Sequence, residues 1–214
     1  MPSIRQVMLI LLPVVLLATT YLAFQTFVAA FGLKLGYLAG FLFYWIVWCF
    51  LPTWWLLGTD QLLQLFRDVP DRLGRPAWLG GLCLTIPLGL GYGYVFPRAI
   101  RQADLTIIVM SVVISFVNGV TEELLWRGAY VSLFPNSWFL TTVYPALGFA
   151  IWHFAPQSVV PNPAPGGAVS LVVVAGLVGA MWAWVANQTG SILWVTVSHI
   201  LFDFSGLGAR IYFR

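Results

Sequence analysis

Residues 105–128 read LTIIVMSVVISFVNGVTEELLWRG, an apolar run that ends in three closely spaced charges. About 20 apolar residues are enough for a helix to cross the hydrocarbon core of a membrane. An ionisable side chain inside a bilayer costs several kcal/mol unless a partner or a function holds it there. We therefore expect a membrane-spanning helix in which Glu122, Glu123 and Arg127 each have a partner or a function.

The composition of the whole chain indicates a membrane protein. Of 214 residues, 60% are hydrophobic and 8% are charged, whereas roughly a quarter of the residues of an ordinary soluble domain are charged. The mean hydropathy is +0.90, and the charges form no basic stripe of the kind that phosphate binding requires. These features exclude a soluble enzyme, a nucleic-acid-binding module and a disordered regulator, and we expect no nucleic acid partner.

Seven apolar stretches are candidates for membrane spans. They cover residues 7–31, 36–58, 77–96, 104–133, 138–155, 168–187 and 190–213. The sequence therefore predicts an all-α, polytopic transmembrane helix bundle of about seven spans (six to eight) in a lipid bilayer, with residues 1–214 forming a single transmembrane domain. Four tryptophans of the second span are expected to face lipid or the membrane interface: Trp45, Trp48, Trp54 and Trp55.

The rarest side chains indicate the functional site. The chain contains two glutamates, Glu122 and Glu123, and two histidines, His153 and His199, all inside apolar stretches. On a helix Glu123 and Arg127 are four residues apart and face each other, so we expect a structural ion pair. Glu122 points about 100° away from Glu123 and needs a partner from another span. The histidines are the candidates.

Helical rise predicts that these partners lie at one depth in the membrane. At about 1.5 Å per residue, Glu122 and His153 lie roughly 18 and 22 Å from the loop between the fourth and fifth spans. His199 and Asp203 lie roughly 14 and 20 Å from the same side of the membrane. We expect the four side chains to meet near the middle of the bilayer. Such a group can hold and deprotonate a water molecule or bind a divalent metal ion.

Three short motifs carry a family resemblance. EELLWR at 122–127 resembles the EExxxR motif of the CPBP family, the CAAX proteases and bacteriocin-processing proteins also called Abi. FAIWH at 149–153 resembles its FxxxH motif, and HILFD at 199–203 resembles its HxxxN/D motif. The motifs follow the family's order and use every glutamate and histidine of the chain. The resemblance covers residues 104–208 and implies a CAAX-protease-like helix bundle.

The resemblance implies an intramembrane endopeptidase, similar to CAAX prenyl protease 2, that cleaves a membrane-associated protein or peptide. Carried over by position, Glu122 and His153 activate the attacking water, and His199 and Asp203 stabilise the oxyanion. The predicted supporting residues are Glu123, Arg127, Asn118 and Phe149. For Asn118 two roles stay open, a contact with substrate and a hydrogen bond across helices.

The third motif of the eukaryotic CAAX enzymes resembles the form HxxxN. Asp203 departs from this form, because it stands at the position of the asparagine. An asparagine amide can donate a hydrogen bond to an oxyanion, whereas an ionised aspartate cannot. Asp203 must therefore be protonated, orient His199 or ligate a metal ion. Our first hypothesis is a glutamate-dependent mechanism with no cofactor. The alternative is one divalent metal ion such as zinc, and its candidate ligands are Glu122, His153, His199 and Asp203.

Two further classes of function fit the same polar cluster. The chain could be a non-catalytic membrane scaffold or bacteriocin-immunity protein that keeps the motifs as a polar core, or it could be a proton or ion carrier. No second polar pathway crosses the other spans, which argues against a carrier. The small size favours a bacterial or archaeal plasma-membrane protein. It also favours bacteriocin precursors or other short membrane-anchored peptides over prenylated proteins as substrates.

Overall fold

The computed structural model describes residues 2–213, and every regular element within them is a helix. We number the helices in chain order: α1 (Ile4–Phe31), α2 (Leu33–Leu57), α3 (Thr59–Leu65), α4 (Ala77–Gln102), α5 (Leu105–Leu133), α6 (139–152), α7 (Phe154–Gln157), α8 (Gly167–Thr189), α9 (Leu193–Gly206) and α10 (Arg210–Phe213). The predicted all-α bundle is confirmed.

Five of these helices are long and apolar enough to cross a membrane, namely α1, α2, α4, α5 and α8. Their outer faces carry exposed large apolar side chains, such as Val14 of α1 and Val112 and Phe116 of α5. Soluble proteins rarely expose large contiguous apolar surfaces, whereas a bilayer covers them. The chain is therefore an integral membrane protein.

The last predicted span, 190–213, corresponds to the shorter helix α9 followed by α10. α9 has 14 residues, which makes it about 21 Å long against a hydrocarbon core of about 30 Å. It ends at Gly206, and the next residue, Leu207, adopts a left-handed conformation with a φ of 47°. α9 thus carries its polar residues into the bundle without being long enough to span the bilayer itself.

The predicted span 138–155 corresponds to α6 and α7, which are interrupted at His153. Pro156 has no backbone N–H, and its ring crowds the carbonyl of the residue four positions earlier, Trp152. The chain tightens at this point, and the N–H of His153 bonds to the carbonyl of Ala150, three residues back. The interruption therefore falls at the histidine of the second motif.

α5 contacts helices from both halves of the chain. It packs along α9 and also contacts α2, α8 and α10. Gly119 allows the close approach to α9, since a Cβ at this position would collide with the side chain and backbone of Ile200. The approach brings the polar part of α5 next to His199 and Asp203.

Candidate active site

The second half of α5 carries four of the predicted site residues: Asn118, Glu122, Glu123 and Arg127. Glu122, Glu123 and Arg127 are at most 1% exposed, so their charges must be compensated within the protein. The helix changes to the wider π-helical winding over Leu124–Ala129, directly after the two glutamates. Single π-helical turns of this kind occur frequently at functional sites.

Glu123 joins two motifs. Its Oε1 lies 2.8 Å from Nη1 of Arg127 and 2.7 Å from Nδ1 of His199. The predicted pair with Arg127 is present, whereas the contact with His199 was not predicted. Arg127 also donates to the backbone oxygen of Gly179 at 3.2 Å and lies 4.5 Å from the ring centre of Phe149. Glu123 thus supports the site by holding both a cation and an imidazole.

The hydrogen bond from His199 to Glu123 determines the orientation of the His199 imidazole ring. Because Nδ1 donates to Glu123, the second nitrogen, Nε2, is directed to the other carboxylates. Nε2 lies 3.4 Å from Oε2 of Glu122 and 3.5 Å from Oδ2 of Asp203. The ring stacks on Trp182 with 4.4 Å between centroids. Glu122, His199 and Asp203 therefore meet, as the helical depths predicted.

Asn118 connects two of the carboxylates. Its Nδ2 donates to Oε2 of Glu122 at 3.0 Å and to Oδ2 of Asp203 at 2.7 Å. Its Oδ1 accepts from the indole Nε1 of Trp45 at 2.7 Å, which defines the orientation of the amide. Of the two roles considered for Asn118, the hydrogen bond across helices is present.

Trp45 lies at the site, contrary to the expectation from its sequence position. It was expected to face lipid or the interface, but it is only 4% exposed. Trp54 and Trp55 are exposed, as expected for an interfacial or lipid-facing belt. Because α2 is apolar on all sides, its sequence contains no polar face from which the buried side could be recognised. Buried residues recur every four or five positions along α2, which is the signal that could have placed Trp45 on the packed side: Gly36, Gly40, Trp45, Cys49 and Thr53.

His153 approaches the site from α6. Its Nδ1 lies 2.8 Å from the backbone oxygen of Phe149, and the Phe149 and His153 rings pack edge to face. Since a carbonyl oxygen only accepts hydrogen bonds, Nδ1 carries the proton and Nε2 keeps a lone pair. Phe149 therefore supports His153 through its backbone and its ring.

A cavity of about 140 Å³ lies between α5, α6, α8 and α9. The residues that line it include all four predicted catalytic residues, Glu122, His153, His199 and Asp203. Oε1 of Glu122 is buried and has no hydrogen-bond partner among the described residues. The hydroxyl of Tyr44 also interacts with this carboxylate. The cavity thus combines the carboxylate of Glu122 with the imidazole of His153.

Charge balance requires this cluster to hold protons. Glu122, Glu123 and Asp203 contribute three carboxyl groups, and Arg127 contributes one cation. With all carboxyls ionised and His199 neutral, the buried cluster would carry two uncompensated negative charges, which is costly inside a protein. One proton on His199 and one on a carboxyl group restore neutrality. A cluster of this kind can accept and return a proton, as general acid–base chemistry requires.

The same side chains do not fit a metal ion as they are arranged. No group of three or more His, Cys, Asp and Glu side chains within residues 2–213 has the geometry to hold one. Zinc requires three or four ligands at about 2.0–2.3 Å. We derive no step of a reaction through a metal.

The C-terminal half of the chain is similar to a known protein family. Residues 104–205 match a family model described as type II CAAX prenyl endopeptidase Rce1-like. The match covers slightly less than half of the chain and contains the four predicted catalytic residues. No curated protein and no solved structure matches the chain significantly.

Proposed function

We propose that this chain, whose residues 104–205 match the Rce1-like model of type II CAAX prenyl endopeptidases, is an intramembrane endopeptidase. The observation that carries the proposal is the cavity at which Glu122, His153, His199 and Asp203 meet. The family supports peptidase activity in general, and the contacts within the cavity support a role for each residue.

Glu122 and His153 are the groups that we assign to water activation. Peptide hydrolysis requires a base that takes a proton from the attacking water. Oε2 of Glu122 is held by Asn118, which leaves the buried Oε1 to act as that base. The lone pair on Nε2 of His153 can accept a second hydrogen bond from the same water. The water oxygen then bonds to the carbonyl carbon of the substrate.

His199 and Asp203 are the residues that we propose to stabilise the oxyanion that forms in this step. With Nδ1 of His199 bonded to Glu123, a proton on Nε2 is available for donation to the oxyanion. Oδ2 of Asp203 accepts from Asn118, so a proton on Oδ1 would make Asp203 a second donor. The charge balance of the cluster requires a proton on one of its carboxyl groups, and we assign it to Asp203 because Glu122 must be ionised to act as the base.

Glu122 completes the cycle by returning the proton. As the carbon–nitrogen bond breaks, the leaving amine takes the proton that Glu122 accepted from water, and a carboxyl group and an amine result. No cofactor is needed for the balance of atoms and charge. Glu123 and Arg127 stay paired throughout and act by holding His199.

The depth of the cavity supports a substrate that is itself in the membrane. Apolar helices surround the site on the outside, and the described part of the chain is a membrane-embedded bundle. We propose a membrane-associated protein or peptide as substrate. A bacterial or archaeal plasma membrane, with short membrane-anchored peptides such as bacteriocin precursors, is the setting that we favour.

Protein termini in host membranes test the proposal. Membranes from cells that express the wild-type chain are compared with membranes containing Glu122→Gln at equal abundance, and new termini are identified by mass spectrometry. Asp60→Asn is the matched control, since Asp60 is an exposed residue of α3. We expect new termini with the wild type and Asp60→Asn only. Identical termini in all three membranes would favour the non-catalytic scaffold.

A further inference from the structure

A second cavity adjoins the candidate active site. It has a volume of about 200 Å³, and we call it the outer cavity, while the cavity with Glu122 and His153 is the inner cavity. Asn118 and Asp203 line both, and the hydrogen bond of 2.7 Å between them separates the two spaces. A molecule bound in the inner cavity therefore has the outer cavity as its immediate neighbour.

Four of the nine residues that line the outer cavity are aromatic, and Ser115, Asn118 and Asp203 are its polar residues. Tyr37, Phe41 and Trp45 come from α2, and Tyr212 comes from α10. Ile114 of α5 lies one helical turn before Asn118 and completes the apolar side. No cationic side chain is among the described residues that line this space. Its chemistry suits an uncharged, bulky apolar group.

Most of this wall comes from outside the matched segment. α2 precedes residue 104, and Tyr212 follows residue 205, so neither belongs to the part of the chain that the family model covers. The proposed hydrolytic residues, in contrast, all lie within it. A space that is built largely by the rest of the chain is suited to selecting this protein's own substrate.

The volumes of the inner and outer cavities also support a role of the outer cavity in binding substrate. Ligand pockets in proteins commonly measure about 300–1,000 Å³, and the inner cavity is well below that range. The inner and outer cavities together reach its lower end. A scissile peptide group in the inner cavity leaves no room there for a large neighbouring side chain, which must then enter the adjoining space.

We propose that the outer cavity is a specificity subsite that binds a bulky apolar side chain, aliphatic or aromatic, of a residue flanking the scissile bond. The assignment rests on the proposed function, since it supposes that a peptide is cleaved in the inner cavity. Phe41 and Ile114 are specificity residues in this account, and Asn118 with Asp203 connects the subsite to the reacting group.

Changing the volume of the subsite tests the proposal. The purified full chain in lipid nanodiscs is incubated with a peptide library that presents every apolar residue at each position around the bond. Phe41→Ala enlarges the outer cavity, and Ile114→Phe fills it. The matched controls are Phe50→Ala and Val112→Phe, two exposed positions that line neither cavity. One methylene in an apolar pocket changes selectivity by roughly tenfold or more.

We expect Phe41→Ala to shift the ratio of cleavage between large and small apolar residues at one position by about tenfold toward large ones. Ile114→Phe should shift it toward small ones, and the controls should match the wild type. Unchanged preference in both variants, with cleavage intact, would overturn the subsite and leave the proposed function standing. No cleavage by the wild type of any peptide would overturn both. If Phe41→Ala fails to fold, the shift in Ile114→Phe decides.

Discussion

The two halves of this membrane protein differ in what they contribute to one site. The C-terminal half, from α5 onward, supplies every carboxyl group and imidazole at the inner cavity. The N-terminal half, α1 to α4, supplies none of these groups, but Trp45 donates the hydrogen bond that orients Asn118. Tyr44, beside it, accepts from the indole of Trp126 and stacks on Trp152.

This difference separates chemistry from positioning. The proposed reacting groups are confined to the segment that matches the family model. Aromatic side chains of α2 contact residues beside those groups and line the outer cavity. Substitutions in the two halves should therefore have different consequences. Loss of a C-terminal polar group should affect stability or turnover strongly, and loss of an N-terminal contact should reduce turnover moderately.

The largest effect is expected from Glu123→Ala. This change leaves the buried Arg127 without its carboxylate and His199 without the acceptor for Nδ1. Breaking a buried ion pair costs about 3–5 kcal/mol, which thermal unfolding in detergent would measure. Replacing both partners, as in Glu123→Leu with Arg127→Met, should recover much of the stability but not the cleavage. Wild-type stability of Glu123→Ala would contradict the account.

The next largest effect on activity is expected from substitutions of Asp203. Asp203→Ala removes a proposed oxyanion donor, which should lower kcat by about 10²–10³-fold. Asp203→Asn keeps a donor as well as an acceptor for Asn118, so its kcat should stay within about tenfold of the wild type. Steady-state cleavage of a peptide substrate compares the two. If Asp203→Asn were as inactive as Asp203→Ala, Asp203 would act as an ionised carboxylate and not as a hydrogen-bond donor.

A moderate effect is expected in the N-terminal half from Trp45→Phe. The ring is kept, but the hydrogen bond to Asn118 is lost, which is worth about 1 kcal/mol and thus about fivefold in kcat, with KM less affected. Trp54→Phe is the control, because its indole bonds to Thr59 on the exposed surface. If Trp45→Phe and Trp54→Phe had the same kcat and KM, the proposed positioning role of α2 would be wrong.

The smallest effect is expected from metal removal. The ligand candidates do not form a metal site in the described residues, and the proposed steps use the chain's own groups. Cleavage after exhaustive chelation should therefore differ by less than about twofold from untreated enzyme, since a catalytic metal supplies several kcal/mol. Loss of activity that zinc restores would instead favour the metal hypothesis.

Much of the site could be predicted because ionisable residues are rare in an apolar chain. The sequence predicts Glu122, His199 and Asp203 at one depth. In the structure Nε2 of His199 lies 3.4 Å from Oε2 of Glu122 and 3.5 Å from Oδ2 of Asp203. Helical spacing also predicted the pair of Glu123 and Arg127. In each case the cost of an unpaired charge in a bilayer restricts the possible partners to very few residues.

Other features could not be predicted from the sequence. They depend on which faces of apolar helices pack together, and those helices have no polar side that would indicate it. The second bond of Glu123, to His199, requires the rotation of α9 about its axis, which helical rise alone does not define. Trp45 lies on a helix that is apolar on all sides, and the spacing of its small residues marks a packed side without showing which helix that side contacts. The short length of α9 follows from a left-handed residue, Leu207, in an otherwise apolar stretch.

The origin of the new carboxyl oxygen tests the central claim most directly. Purified wild-type chain and Glu122→Gln are incubated in water enriched in oxygen-18 with a peptide that carries a cleavage site identified in host membranes. The account predicts one heavy oxygen in the new C-terminal carboxyl group with the wild type, and a rate lower by about 10²–10⁴-fold with Glu122→Gln. Heavy-oxygen product at the wild-type rate from Glu122→Gln would contradict it.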